Sequence, residues 1–187
     1  RVVTDATARN LITIDGINEF GRIMGPGGVA PTTINLNGMY IRGLYSIETG
    51  PADSFRSGDI INVRDDANIW ASMHLGGGDD TVNLIGGKGP QAAIFGDGYD
   101  YTDAQINDPA HTFNDTFNVT GGEWYRLFGD YNSSYGGPKG NDVFNLSGGT
   151  ASRVQGNAGN DVFNISGTFT ARELAGDGGS DKVIIAA

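Results

Sequence analysis

Cysteine is absent from the 187 residues, which excludes disulfide bridges and thiolate metal sites. The absence fixes no compartment, but it suits a protein that crosses a bacterial envelope unfolded. Glu is scarce, at 4 residues against 18 Asp, and Lys and Arg together number 12, for a net charge of −10. No basic stripe offsets that balance, so nucleic acid and anionic lipid are excluded as main partners. Long hydrophobic runs are missing too. The longest, Val183 to Ala187, falls far short of a membrane-spanning helix, so no transmembrane segment is expected. The two histidines, His74 and His111, are distant in sequence and suggest no Ser–His–Asp arrangement. Gly25-Pro-Gly-Gly28 and Gly86-Gly-Lys88 lack the spacing of a phosphate loop. The chain starts at Arg1 and ends in a strand-like segment, which is expected of a piece of a larger protein.

What is abundant is Gly, at 31 residues, with 16 Asn beside the 18 Asp. Gly loses much backbone entropy in a helix, and Asp and Asn favour turns and caps, so long helices are improbable. A hydrophobic content of 38% with nine Phe argues against disorder. The chain also repeats itself. Asp, two residues, Asn, apolar recurs at Asp59–Val63, Asp80–Leu84, Asp115–Val119, Asp142–Leu146 and Asp161–Ile165. Asp181–Ile185 keeps all but the Asn, and weaker copies start at Asn10 and Thr32. Successive starts are 22, 27, 21, 35, 27, 19 and 20 residues apart, so the base unit is about twenty residues with insertions.

Within each unit the second and fourth residues after Asp are apolar and the third is mostly Asn, the period-two pattern of a strand with one buried face. A second short apolar stretch follows and ends at Gly: Ala93–Gly96, Arg126–Gly129, Arg153–Gly156 and Glu173–Gly176. Two strands and two Gly corners per unit describe one coil of a solenoid. A lone coil cannot bury its Phe and Leu, but coils stacked about 4.8 Å apart do so and pair their backbones. The expected fold is all-β: a right-handed parallel β-helix of about eight coils, with 1–187 forming one segment. Phe117, Phe144 and Phe163 should pile up inside, and Asn62, Asn83, Asn118, Asn145 and Asn164 outside.

Two units are enlarged at the same corner, by insertions at 97–114 and 130–141. Lying on consecutive coils, they should form one ridge carrying Asp97, Tyr99, Asp100, Tyr101, Asp103, Asp108, His111, Tyr131 and Tyr135. Tyr with acidic groups suits sugars, cations or a basic protein surface. An acidic solvated loop that only covers the coil edges is the other reading.

The corners Gly76–Asp80, Gly156–Asp161 and Gly176–Asp181 resemble the RTX nonapeptide, G-G-x-G-x-D-x-U-x, of calcium-binding parallel β-rolls. The resemblance implies calcium as the cofactor, with Asp161, Asp177 and Asp181 as ligands, and a module that folds after secretion. Only one of the two corners per unit carries Asp, unlike an RTX roll. The alternative is that each Asp caps its corner by accepting backbone N–H bonds. Over most of the chain, Asn-Asp-x-Phe-Asn-apolar-(Ser/Thr)-Gly is similar to the passenger regions of bacterial autotransporters. That resemblance implies an extracellular or cell-surface β-helix without catalysis, acting in adhesion on a host protein or surface glycan. A carbohydrate-active β-helix with paired carboxylates is a further alternative.

Overall fold

The computed structural model describes residues 2–4, 11–15, 23–24, 31–37, 40–41, 47–48, 58–64, 67–98, 106–107, 111–131 and 139–186. They form an all-β protein with parallel strands in two sheets, compatible with a solenoid. The Asp-x-x-Asn segments build the first sheet. Its strands are β2 (Leu11–Asp15), β4 (Thr33–Asn37), β7 (Ile60–Arg64), β10 (Thr81–Leu84), β12 (Thr116–Val119), β14 (Val143–Leu146), β16 (Val162–Ile165) and β18 (Lys182–Ile185), paired parallel in that order. At the start of this sheet β1 (Val2–Thr4) pairs antiparallel with β2.

Like residues stand over like, as the repeat requires. Ile34, Ile61, Val82, Phe117, Phe144, Phe163 and Val183 occupy one register position. The Phe117–Phe144 and Phe144–Phe163 rings stack with centroids 4.8 and 4.9 Å apart. That distance is the spacing between hydrogen-bonded strands, so the backbone ladder sets the ring stack. On the opposite face each Asn side chain donates to the Asn of the preceding unit. The chain of bonds runs Asn164→Asn145→Asn118→Asn83→Asn62→Asn35, each 2.8–2.9 Å, and closes on Thr13.

The stretches ending at Gly form the second sheet: β3 (Ile23–Met24), β6 (Ile47–Glu48), β9 (Met73–His74), β11 (Lys88–Phe95), β13 (Glu123–Phe128), β15 (Thr150–Ala158) and β17 (Thr170–Gly178). The later strands are longer than the sequence pattern suggested. Two short pieces, β8 (Asn68–Ile69) and β9, both pair with the single strand β11, so what is split in one unit is fused in the next. Pro90 and Gln91 sit in a register shift of β11 against β13, where a residue without an N–H costs no ladder bond. Ile94, Leu127 and Val154 point inward in register and pack against the first sheet in one core. Phe95 points outward and stacks on Phe128 and on His74, at centroid distances of 4.9 and 4.7 Å.

A buried aspartate corner beneath the two insertions

The corner that leads into the first sheet collects the acidic residues. Asp59, Asp80, Asp115, Asp142 and Asp161 are all buried although Asp is ordinarily a surface residue. Each is engaged the same way. The N–H of Asp59 donates to Asp80 Oδ1, that of Asp80 to Asp115, Asp115 to Asp142, Asp142 to Asp161, and Asp161 to Asp181, over 2.7–3.0 Å. Thr32 N–H starts the series on Asp59. A backbone donor stranded at each corner, where the strand ladder has not yet begun, is thus satisfied by the carboxylate of the next unit.

The residue before each Asp forms a second ladder of opposite direction. The N–H groups of Asn114, Asn141, Asn160 and Ser180 donate to the side-chain oxygens of Asp79, Asn114, Asn141 and Asn160, at 2.8–3.0 Å. The Gly that ends the second strand explains its own identity here. A Cβ at Gly96, Gly129, Gly156 or Gly176 would overlap the carboxylate of Asp115, Asp142, Asp161 or Asp181.

Directly after these glycines stands a further polar column, Asp97, Asp130, Asn157 and Asp177. Asn157 and Asp177 face each other in register and both adopt the left-handed backbone, with φ of 76° and 70°, which Asn and Asp tolerate better than most residues. Asp130 accepts the Gly140 and Ala158 N–H groups, one on each oxygen, at 2.9 and 3.1 Å. Asn157 donates to the Asp130 carbonyl at 2.6 Å. Asp97 is completely buried, and among the described residues no donor reaches either of its oxygens.

Such burial works against charge. Desolvation, reinforced by neighbouring aspartates, holds the carboxyls of Asp80, Asp97, Asp115 and Asp142 well above the usual carboxylate range. Burial raises Asp130 to about 7 and Asp161 to about 6, against the pull of their backbone hydrogen bonds. The ion pairs at Lys88–Glu123 and Arg153–Glu173 are exposed and lie elsewhere on the second sheet.

The Asp residues of the repeat therefore act as corner caps, the second of the two readings the sequence left open. Asp161 and Asp181 are successive rungs of one column, while Asp177 stands in the other column and accepts from Gln155 at 2.8 Å. Among the described residues no three acidic or imidazole side chains gather around a point that could hold a metal ion. Oδ1 of both Asp161 and Asp181 accepts a backbone N–H.

Of the expected ridge residues, Tyr99, Asp100, Tyr101, Asp103, Asp108 and Tyr135 lie outside the described residues, as does most of both insertions. Asp97 lies at the base, under cover, rather than on an exposed face. Tyr131 is half-buried and packs at a tilt against Phe95 and His74, at 5.2 and 6.2 Å. His111 borders a cleft of about 320 Å³ whose walls come from both insertions: Ile106, Asn107 and Asn114 from the first, Lys139 and Asn141 from the second. Asp130 was not singled out for this corner, although a signal existed: Asp or Asn follows the strand-ending Gly in all four units. No helix among the described residues is long and apolar enough to cross a membrane. Comparison with known proteins finds no matching family model, no matching curated protein and no matching solved structure.

Proposed function

We propose that the chain winds as a right-handed parallel β-solenoid of about eight coils and serves as a non-catalytic binding segment of a bacterial surface or secreted protein. The contact surface is the ridge formed by the two insertions, and the partner is a host protein or a surface glycan. The observation that carries this reading is the cleft between the insertions. It brings His111, Lys139 and three Asn side chains from segments far apart in sequence to one mouth. Amides, an imidazole and an ammonium in a shallow cleft match the hydroxyls and carboxylates of sugars or of a polar protein epitope. The resemblance to autotransporter passengers supports an extracellular setting, and the absence of Cys agrees with passage through an envelope.

The test is to replace residues 99–110 and 132–138 with short Gly-Ser linkers and screen both forms on a glycan array and on intact host cells. Loss of binding with an unchanged far-UV spectrum is the expected result. Binding that survives the replacement places the contact on the flat sheet faces and overturns the ridge.

A further inference from the structure

The two insertions begin with Asp97 and Asp130, which stand on successive rungs of one buried column: the Asp97 N–H donates to the Gly129 carbonyl at 3.3 Å and the Asp130 N–H to that of Gly156 at 3.4 Å, so that the two carboxyls bear on each other. Asp130 already uses both oxygens to accept backbone N–H groups, from Gly140 at the far end of its own insertion and from Ala158 of the next unit. With both oxygens accepting, Asp130 is the better acceptor of the pair and Asp97 the better seat for a proton. Asp97 accepts nothing and is wholly enclosed. Two buried carboxylates in contact cannot both be ionised without a compensating cation.

Among the described residues no such cation bears on the pair. Between Lys88 and Lys139 the only Lys or Arg is Arg126, and its guanidinium lies 4.6 Å over the ring of Tyr125. Lys139 is exposed, on the wall of the cleft. The groups that bear on the pair are themselves acidic: Asp115 and Asp142 on Asp97, and Asp161 on Asp130. His74 and Tyr131 stand on the outer side, against Phe95.

We propose that Asp97 and Asp130 share one proton, with Asp97 the acid that donates and Asp130 the carboxylate that accepts, and that this bond latches the bases of the two insertions together. The fold offers a parallel in the same column. Asn157, a permanently neutral donor, occupies the next rung and donates to the Asp130 carbonyl. The latch opens when the shared proton is lost, which leaves two repelling charges under the insertions. It stands on the corner alone, whether or not the insertions bind a partner.

The decisive experiment is a carbon NMR titration of the carboxyl groups of the intact chain in calcium-free buffer, with Asp97→Asn to assign the Asp97 signal. Asp97 is expected to remain protonated at pH values where exposed aspartates are fully ionised; a signal that ionises with the exposed ones overturns the proposal. Thermal melts give the second arm. Asp97→Asn keeps a donor without needing a proton, so its melting temperature should gain on that of the unaltered chain by about 3 °C or more between mildly acidic and mildly alkaline pH. A gap that does not change with pH overturns the shared proton. Asp130→Asn, which cannot accept at both positions, should melt lower at every pH. Millimolar calcium should leave the melt of the unaltered chain unmoved; stabilisation by calcium that vanishes in Asp97→Asn assigns the pair to a cation and overturns the proton.

Discussion

At the scale of single residues, the corner aspartates are defined by the bond they accept, and charge is secondary. Asp142 takes the Asp115 N–H on Oδ1 at 2.7 Å, while its other oxygen is buried without a partner. An amide preserves the acceptor and removes the cost of burying an ion. Asp142→Asn should therefore leave stability at neutral pH within about 1 kcal/mol or raise it, whereas Asp142→Ala strands the Asp115 N–H and should cost about 1–3 kcal/mol. Urea unfolding of the two variants checks this; equal losses would mean that the carboxylate charge itself matters. Gly129 offers the complementary test. A Cβ there meets the Asp142 carboxylate and, at 2.7 Å, the Gly156 carbonyl. Gly129→Ala should destabilise by about 1–3 kcal/mol through overpacking, read from the same unfolding curves. These roles were partly legible. The recurrence of Asp at one offset announced a common job, and turn chemistry offered capping as that job. Which carboxylates would be sealed from water was not legible, because burial depends on how closely neighbouring units stack.

At the scale of elements, a short strand of four residues gains little by itself and takes its stability from its neighbours on either side. In β14, Phe144 is sandwiched between Phe117 and Phe163, and Asn145 is held between Asn118 and Asn164. The two faces should differ in weight. Phe144→Ala opens a cavity at the middle of the stack and should cost about 3–5 kcal/mol. Asn145→Ala breaks two side-chain bonds on a half-exposed face and should cost about 1 kcal/mol. Chemical denaturation of both variants ranks them, and a larger loss from Asn145→Ala would make the amide ladder the principal tie between strands. The alternation in Val143–Leu146 and its copies was plain in the sequence, and the register of the first sheet follows it throughout. The second sheet was harder to read. Its strands run through Gly and Pro90, residues that ordinarily end a strand, and only pairing with β13 shows that the chain stays extended around a bulge. The antiparallel pairing of β1 with β2 had no signal at all, since three residues carry no period.

At the scale of the whole molecule, the buried aspartates act together on the dependence of stability on pH. In the unfolded chain their carboxyls ionise near the ordinary value of 3.8. In the fold, burial raises Asp161 to about 6 and Asp130 to about 7, and Asp80, Asp97, Asp115 and Asp142 well above the ordinary value. A group with a raised folded pKa binds protons more tightly when folded, so its contribution is complete below the unfolded value and disappears as pH climbs through the folded one. Most proteins lose stability on acidification because their carboxylates are salt-bridged or hydrogen-bonded as ions; here the six buried corner carboxyls move in the opposite sense. The net charge of −10 adds to the trend, since self-repulsion grows as the exposed acids ionise. The melting temperature in calcium-free buffer should therefore be higher near pH 4–5 than near pH 8 and should fall most steeply between about 5 and 7. The unfolded chain should release protons to the solvent in that interval, measurable by comparing unfolding enthalpies in buffers of different ionisation heat. A melting temperature that is flat across this range, or that rises with pH, would show that the corner carboxyls are ionised in the fold and that some cation sits among them.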